Sequence, residues 1–354
     1  MKKAIVLFSL LLSVSGFAQT DVSGYVPGKS QDAVTYFLPK TIIEVEVEAT
    51  KVTYTPGEFC KYADRYLRLT GISDRESSYW EISKVTVKPV GMPDPDNVYS
   101  VKLKDKTIAP LMELTEDGII KSINKPVEKK TGKKAAETSQ QQKTKINPRD
   151  FMTEEILMAS SSAKMAELVA KEIYNIRDSK NAIIRGQADN MPKDGEAMKL
   201  MLANLEAQEA AMLEMFTGTT DRETKKYTLR LVPNKDLNKQ VLFRFSKKLG
   251  VVANDDLSGA PVYVTLNNLN TVPAPDEKAK SEKKKMEGIV YNVPGKAQLT
   301  IFNSNKTYYD GTLPITQFGN QETLADNLFN KKTTTQVTFD PVTGGLVRIE
   351  RGNE

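Results

Sequence analysis

Histidine is absent from this chain of 354 residues, and cysteine and tryptophan occur once each, as Cys60 and Trp80. The usual general base at neutral pH and the commonest zinc ligand are therefore both missing. A Ser-His-Asp triad and a Cys-His pair are excluded, and one cysteine cannot form a disulfide within the chain. Phosphate-binding loops of the Walker or Rossmann type are missing as well. The sequence predicts no catalytic residue, no cofactor and no metal site.

Long apolar runs are also missing, apart from one short stretch near the N-terminus. Two lysines precede the apolar stretch Ala4–Leu12, and small residues at Gly16 and Ala18 fit a signal-peptidase site. The stretch is shorter than the roughly 20 apolar residues of a membrane span, so residues 1–18 are predicted to be a signal peptide. No cysteine follows it as a site for a lipid anchor. We expect an exported chain that is not a lipoprotein, located in the periplasm or outside the cell, without a transmembrane segment after cleavage.

The net charge of +5 comes from one region. Residues 121–145 contain eight lysines and two glutamates, so the rest of the chain is close to neutral or slightly acidic. The stretch 125–148 has a low-complexity composition that is typical of a disordered linker, which we favour over a polyanion-binding arm. Nucleic-acid binding is not predicted, because aromatic residues do not interleave with the lysines. A second charged stretch at 273–287 is predicted to be a flexible loop.

The first part of the chain, residues 19–124, has a β-rich pattern with one short helix. In residues 41–49, Ile43, Val45 and Val47 alternate with three glutamates, which predicts a half-buried strand. The acidic face is interpreted as solvated rather than as a cation site. A helix is predicted over 58–69.

Two further strands are predicted at 79–88 and 97–104. Two prolines within 91–97 argue against a regular strand there, so this segment is predicted to be a turn. Asp94 and Asp96 lie in it, but a calcium loop needs more oxygen ligands than these two residues supply.

Residues 149–218 change to a period of 3.6, which predicts two helices. Gly186 ends the first helix, Asp194 caps the second, and Gly218 stops it. Matched lengths and a short connection predict an antiparallel helical hairpin. Its methionines, such as Met198, Met201 and Met212, belong either to a core stripe, which we favour, or to an adaptable groove. Together with Tyr79 and Trp80 they make up the candidate interaction surface.

Residues 219–354 contain many short strand patterns separated by turns, which suggest a β-sandwich or barrel. The fold class is therefore predicted as α+β, with sandwich-like or barrel-like β-rich parts and a long helical hairpin inserted between them. We expect the β segments on both sides of the hairpin to share one sheet system, with the hairpin projecting as an arm.

One short motif suggests acyl-enzyme chemistry. Ser161 and Lys164 form a Ser-x-x-Lys pattern, and Lys130-Thr131-Gly132 supplies a Lys-Thr-Gly. The Lys-Thr-Gly precedes the serine, whereas penicillin-recognising enzymes place it after, and a Ser-Asp-Asn is missing. An acyl enzyme is therefore not favoured.

Several segments resemble a secreted Bacteroidota family of unknown function, and the resemblance extends over nearly the whole mature chain. The matching segments are Tyr36–Thr41, Pro56–Leu67, Ile176–Lys180, Gly186–Gly195, Leu213–Gly218, Gln317–Gly319 and Phe339–Gly345. The resemblance implies an origin in a Gram-negative envelope, and it implies no activity, cofactor or site residue.

The leading functional hypothesis is a non-enzymatic envelope protein that binds another envelope protein and assists complex assembly. The alternative is a glycan-binding or carbohydrate-active module, suggested by the export signal and by the 13 Tyr, 12 Phe and one Trp. The two hypotheses differ in what must be exposed. A partner-binding arm needs an apolar patch on the hairpin or at a sheet edge, whereas a glycan site needs aromatic platforms in a cleft.

Overall fold

The structure is a computed structural model. It describes residues 21–24, 33–102, 112–124, 147–188, 194–273, 288–324 and 335–351. The predicted signal peptide lies outside these residues. So do the predicted linker, except for Asn147 and Pro148, and the predicted loop at 273–287, except for Pro273.

The strands in chain order are β1 (Asp21–Gly24), β2 (Ala33–Thr55), β3 (Ser77–Lys102), β4 (Met112–Leu114), β5 (Ile120–Ile123), β6 (Thr219–Leu231), β7 (Leu237–Ser246), β8 (Gly250–Val252), β9 (Ala260–Asn268), β10 (Ile289–Phe302), β11 (Thr307–Leu324), β12 (Thr335–Phe339) and β13 (Leu346–Arg351). The described strands form three sheets, in the orders β1-β3-β2-β6, β11-β10-β9-β7-β8 and β13-β12-β5-β4. Strand β2 pairs with β6, and β5 pairs with β12. Strands from both sides of the hairpin therefore share two of these three sheets, whereas one sheet system was predicted.

The alternation in β2 positions the hydrophobic core between the sheets. Ile43, Val45 and Val47 are fully buried and contact residues of the five-stranded sheet, among them Val264 and Leu299. The edge of β3 meets the turn between β7 and β8, where the backbone N–H of Trp80 donates to the carbonyl of Lys247 at 2.7 Å. The strands curl into a half-barrel. The structure thus confirms the β-rich architecture with helices in mid-chain, but not a sandwich.

The glutamates on the opposite face of β2 form ion pairs with the edge strand β6. Arg230 Nε lies 3.4 Å from Glu44 Oε2, and Lys226 Nζ lies 3.3 Å from Glu46 Oε1 and 3.4 Å from Glu48 Oε1. Cross-strand pairing of opposite charges stabilises a sheet. This row of carboxylates is therefore accounted for by the strand pairing.

The helices follow the predicted pattern. They are a 3₁₀ turn (Cys60–Tyr62), α1 (Ala63–Leu67), a second 3₁₀ turn (Pro148–Phe151), α2 (Glu154–Leu157), α3 (Ser162–Ile184) and α4 (Gly195–Thr217). Asp194 accepts the backbone N–H of Glu196, and Gly218 ends α4 with a φ of +77°. Both long helices have 23 residues, about 34 Å at 1.5 Å per residue. In the part of the chain that the structure describes, none of the helices combines the length and apolar composition of a membrane span.

The prediction of a turn at 91–97 is wrong, because β3 runs through this segment. Strand β1 pairs only with residues 99–102 of β3, so the preceding stretch is a sheet edge, where a proline nitrogen can face outward without losing a ladder bond. The register shifts between Pro93 and Val98, which leaves residues 94–97 as a bulge opposite Leu38. Asp94 accepts a 2.7 Å hydrogen bond from Asn97 in this bulge.

Segments that carry the family resemblance meet at one junction between the sheets. The side chain of Gln317 accepts from the N–H of Thr41 at 3.1 Å and donates to its carbonyl at 2.8 Å. The Asn292 amide donates to the carbonyls of Pro39 and Thr343, both at 2.9 Å. These contacts hold β2 against β10, β11 and the turn before β13.

Buried Tyr36 lies at the same junction. Its hydroxyl donates to the carbonyl of Val290 and accepts from the N–H of Val290, both at 3.0 Å. A side chain at Gly91 would overlap the carbonyl of Pro341, so glycine is required where the last turn crosses β3. The junction is packed tightly, and the resemblance segments that meet in it therefore have a structural role.

Candidate functional site

Of the two aromatic residues predicted for a surface, only one is exposed. Tyr79 is exposed, whereas Trp80 is 9% exposed. A Cβ atom at Gly250, the first residue of β8, would lie 3.0 Å from the Trp80 ring. On β6, Lys225 Nζ lies 5.6 Å from the centroid of the same ring. Trp80 is therefore covered by β8 and β6 and contributes little accessible surface.

The methionines of the hairpin divide into two groups along α4. Met212 is 1% exposed and belongs to the helical core with Phe59 and Phe216. Met201 is exposed and Met198 is half-buried. Met212 is thus a core residue rather than a surface residue, whereas Met198 and Met201 remain accessible.

The base of the hairpin is anchored to the sheet by the segment that follows β2. Pro56 and Gly57 end the strand, and the Phe59 N–H donates to the carbonyl of Met215 at 2.7 Å. The rings of Phe59 and Phe216 lie 5.5 Å apart. A Cβ atom at Gly57 would overlap the carbonyl of Met215. The last turns of α4 are therefore fixed in place.

An ion-pair network joins the two long helices halfway along their length. Arg177 Nε lies 2.6 Å from Glu209 Oε1, and Lys180 Nζ lies 3.0 Å from Glu209 Oε2. Partial burial acts to raise the pKa of Glu209, but the hydrogen bonds from Arg177 and Lys180 outweigh it and hold this pKa below its ordinary value. The residue types alone did not reveal this pairing, since it depends on the register between the helices.

Beyond this network the hairpin exposes apolar side chains. Ile184, in the last turn of α3, is 68% exposed, and Leu200, in the second turn of α4, is 64% exposed. With the adjacent Met201 they form what we call the hairpin tip. Single exposed apolar residues are ordinary on protein surfaces, but here three lie towards one end of an anchored hairpin.

A cleft of about 410 Å³ opens beside the hairpin base, lined in part by Gly57, Glu58, Arg149, Glu214 and Met215. Arg149 Nη2 lies 3.8 Å from Glu58 Oε2. Such a volume is in the range of small-molecule sites. Its charged side chains are exposed, however, and two of them, Glu58 and Arg149, form this ion pair.

A second notch, of about 330 Å³, is lined by Cys60, Asp64 and Asp74. Cys60 is a free cysteine, and the residue is half-buried. The lining of this notch also includes Lys61, and that of the first cleft includes Asn147 and Thr219.

The motif residues with possible chemistry have local structural partners. Ser161 Oγ accepts the backbone N–H of Lys164 at 3.2 Å and so caps α3, and Lys164 Nζ pairs with Glu167 at 3.1 Å. The ammonium group of Lys164 is thus paired with Glu167, and only the backbone N–H of this lysine is bonded to the serine hydroxyl. Within the described ranges, His, Cys, Asp and Glu side chains form no group of three or more that could hold a metal ion.

Comparison with known families gives one assignment. Residues 32–347 match the family described as a domain of unknown function, DUF4831. The chain belongs to this family. Neither a curated protein nor a solved structure matches the chain. The DUF4831 match covers every segment on which the resemblance was based, so the near full-length family relationship is confirmed.

Proposed function

We propose that this DUF4831 protein is a non-enzymatic, exported protein that binds another envelope protein through the hairpin tip and assists complex assembly. The supporting observation is the exposure of Ile184 and Leu200 on helices whose other end is packed and anchored. A rigid support lowers the entropy cost of binding, because few side chains need to be ordered. The partner that fits is a protein with an apolar groove that accepts the face of a helix.

A crosslinking experiment tests the tip directly. A photoreactive amino acid is introduced at Leu200 and, as a matched control, at Leu257, which is 81% exposed between β8 and β9. The proposal expects one defined protein band from envelope fractions with the Leu200 probe, and its absence with the Leu257 probe. The substitution Met201→Lys in the Leu200-probe chain should abolish that band. A band that survives this substitution, or that appears equally with both probes, contradicts the proposal.

The cellular location is part of the same proposal. The basic, apolar and small-residue pattern of residues 1–18 supports export in a Gram-negative, Bacteroidota-like cell. Mass spectrometry of the N-terminal peptide from the periplasmic or outer-membrane fraction should find Gln19 as the first residue. Recovery of the chain in the cytoplasm with residues 1–18 attached would overturn the export proposal without affecting the proposed tip.

The glycan-binding or carbohydrate-active alternative remains second. It relies on aromatic platforms, and Trp80 is covered by Lys225 and Gly250, which leaves Tyr79 as the exposed member of that pair. Binding on a glycan array that is lost in Tyr79→Ala, together with the absence of a crosslink at Leu200, would reverse our ranking.

A further inference from the structure

Strand β13 differs from the other sheet edges of the described chain. Edge strands β1, β4 and β8 have only three or four residues. Strand β6 carries Arg222, Lys226 and Arg230 on one face, so a second copy of β6 would bring like charges together, whereas Arg348 and Glu350 of β13 have opposite signs. Strand β11 is held to β2 by hydrogen bonds between Thr41 and Thr316. Strand β13 has six residues, contains no proline, and pairs only with β12 among the described strands.

The side chains of β13 extend an apolar row beyond the core. Ile349 pairs with Val337, and Val337 pairs with Ile123 on the next strand. Val337 and Ile123 are fully buried, whereas Ile349 is 43% exposed and Val347 is 62% exposed. The row therefore ends at the sheet edge with apolar surface that a further strand would cover.

We propose that β13 pairs antiparallel with β13 of a second copy of this chain, around a two-fold axis at Ile349. Such an interface is isologous, so every contact occurs twice. In this register Ile349 faces Ile349 of the other copy. Arg348 faces Glu350 of the other copy, and Glu350 faces its Arg348.

The charges select both this register and this partner. Moving the axis by one residue to Arg348 places two arginines opposite each other, and moving it to Glu350 places two glutamates opposite each other. Like charges directly opposite destabilise a strand pair, and opposite charges stabilise it. Within one copy, Arg348 Nη2 lies 2.6 Å from Glu350 Oε1, so both charges are already on the same face. The sequence Arg348-Ile349-Glu350 is thus complementary to itself.

The dimer is expected to be weak. One short strand pair buries less surface than a standard protein–protein interface, so we expect a dissociation constant of roughly 10–100 µM. This inference is independent of the hairpin tip, because β13 packs on the core around Val337 and Phe339 rather than on the helical core.

Sedimentation equilibrium of the full chain with two charge reversals tests the register. Arg348→Glu and Glu350→Arg should each raise the dissociation constant on the order of tenfold, because both cross-strand pairs become repulsive. An equimolar mixture of the two variants should recover dimers, since every charge at position 348 then faces the opposite charge at position 350. The side chain of Arg348 is 71% exposed and that of Glu350 is 42% exposed, so we expect the fold to be unchanged, as circular dichroism can verify.

Two lysine substitutions locate the interface. Ile349→Lys should abolish dimers, because it places two ammonium groups opposite each other at the axis, whereas Ile184→Lys at the hairpin tip should leave them intact. A wild-type chain that is monomeric at about 1 mM, well above the expected constant, overturns the proposal. So do dimers that survive Ile349→Lys, and charge variants that fail to recover dimers when mixed.

Discussion

The buried hydroxyl of Tyr36 allows a sharp test of the junction between the sheets. Tyr36→Phe keeps the ring, which stacks on Tyr99 at 5.8 Å, and removes only the hydroxyl. The N–H and the carbonyl of Val290 then lose their 3.0 Å hydrogen bonds in a site from which water is excluded. A buried backbone group left unpaired costs about 1–3 kcal/mol. We expect the free energy of unfolding to fall by about 2–6 kcal/mol for the two groups together.

Tyr174→Phe is the matched control. Its hydroxyl donates to the carbonyl of Tyr66 at 3.1 Å, but at the surface, where water can replace the lost partner. Its loss should cost less than about 0.5 kcal/mol. Urea unfolding followed by circular dichroism measures both values, and hydrogen exchange of the Val290 amide should accelerate only in Tyr36→Phe. Equal destabilisation of the two variants would refute the argument that burial determines the cost.

Three further predictions concern the hairpin. Met212→Ala should lower the free energy of unfolding by about 2–5 kcal/mol because it opens a cavity in the core, whereas Met201→Ala should change it by less than about 0.5 kcal/mol; thermal unfolding measures both. Gly57→Ala should destabilise the hairpin base, because the new Cβ overlaps the carbonyl of Met215. Gly195→Ala should not, because its new Cβ meets no neighbouring atom within 4 Å. Limited proteolysis should therefore cleave the hairpin faster in Gly57→Ala only. Glu209→Gln should destabilise the chain at neutral pH. The folded pKa of Glu209 is lowered from 4.5. The difference in unfolding free energy between wild type and variant should therefore persist above pH 4.5 and disappear as the pH falls through the folded pKa. A difference that is constant from neutral to strongly acid pH would contradict the ion-pair network.

The hairpin could be predicted from sequence because its determinants are local. The apolar period, the Asp194 cap and the Gly218 stop all act within one or two turns of the chain. Their positions in the structure agree with the prediction to within a residue or two. The alternating strand at 41–49 was predicted for the same reason, since its two faces are distinguished by neighbouring residues.

Strands that depend on distant partners were harder to predict. The first half of β6, residues 219–226, has no apolar alternation, yet it pairs residue by residue with β2 from Glu48 to Thr55. Its extended form follows from that pairing rather than from its own side chains. The prolines in β3 were misleading for a related reason, because they are tolerated only at an edge, and edge position is a property of the whole sheet.

Exposure of the candidate residues could not be predicted, because the residues that cover them are far away in sequence. Trp80 is covered by Lys225 and Gly250, and Met212 packs against Phe59. No local pattern distinguishes Met212 from Met201, which occupies a similar position on the apolar stripe of α4. The helical period predicts the stripe, but only the packing of the hairpin base determines where the stripe becomes surface.

The positions of the resemblance segments indicate where function should be sought. Those around Thr41, Gln317 and Gly344 form the sheet junction, and those around Phe59 and Met215 form the hairpin base, so tight packing accounts for them. Ile184, Leu200, Met201 and all of β13 lie outside these segments, although the segment Gly186–Gly195 connects the two helices of the tip. The two proposed contact surfaces also pack on different cores, and free-energy changes at sites without shared partners add independently. Ile184→Lys should therefore weaken partner binding without changing dimerisation, and Ile349→Lys should do the opposite. A variant set in which each substitution impairs both readouts would show that the tip and β13 belong to one interface.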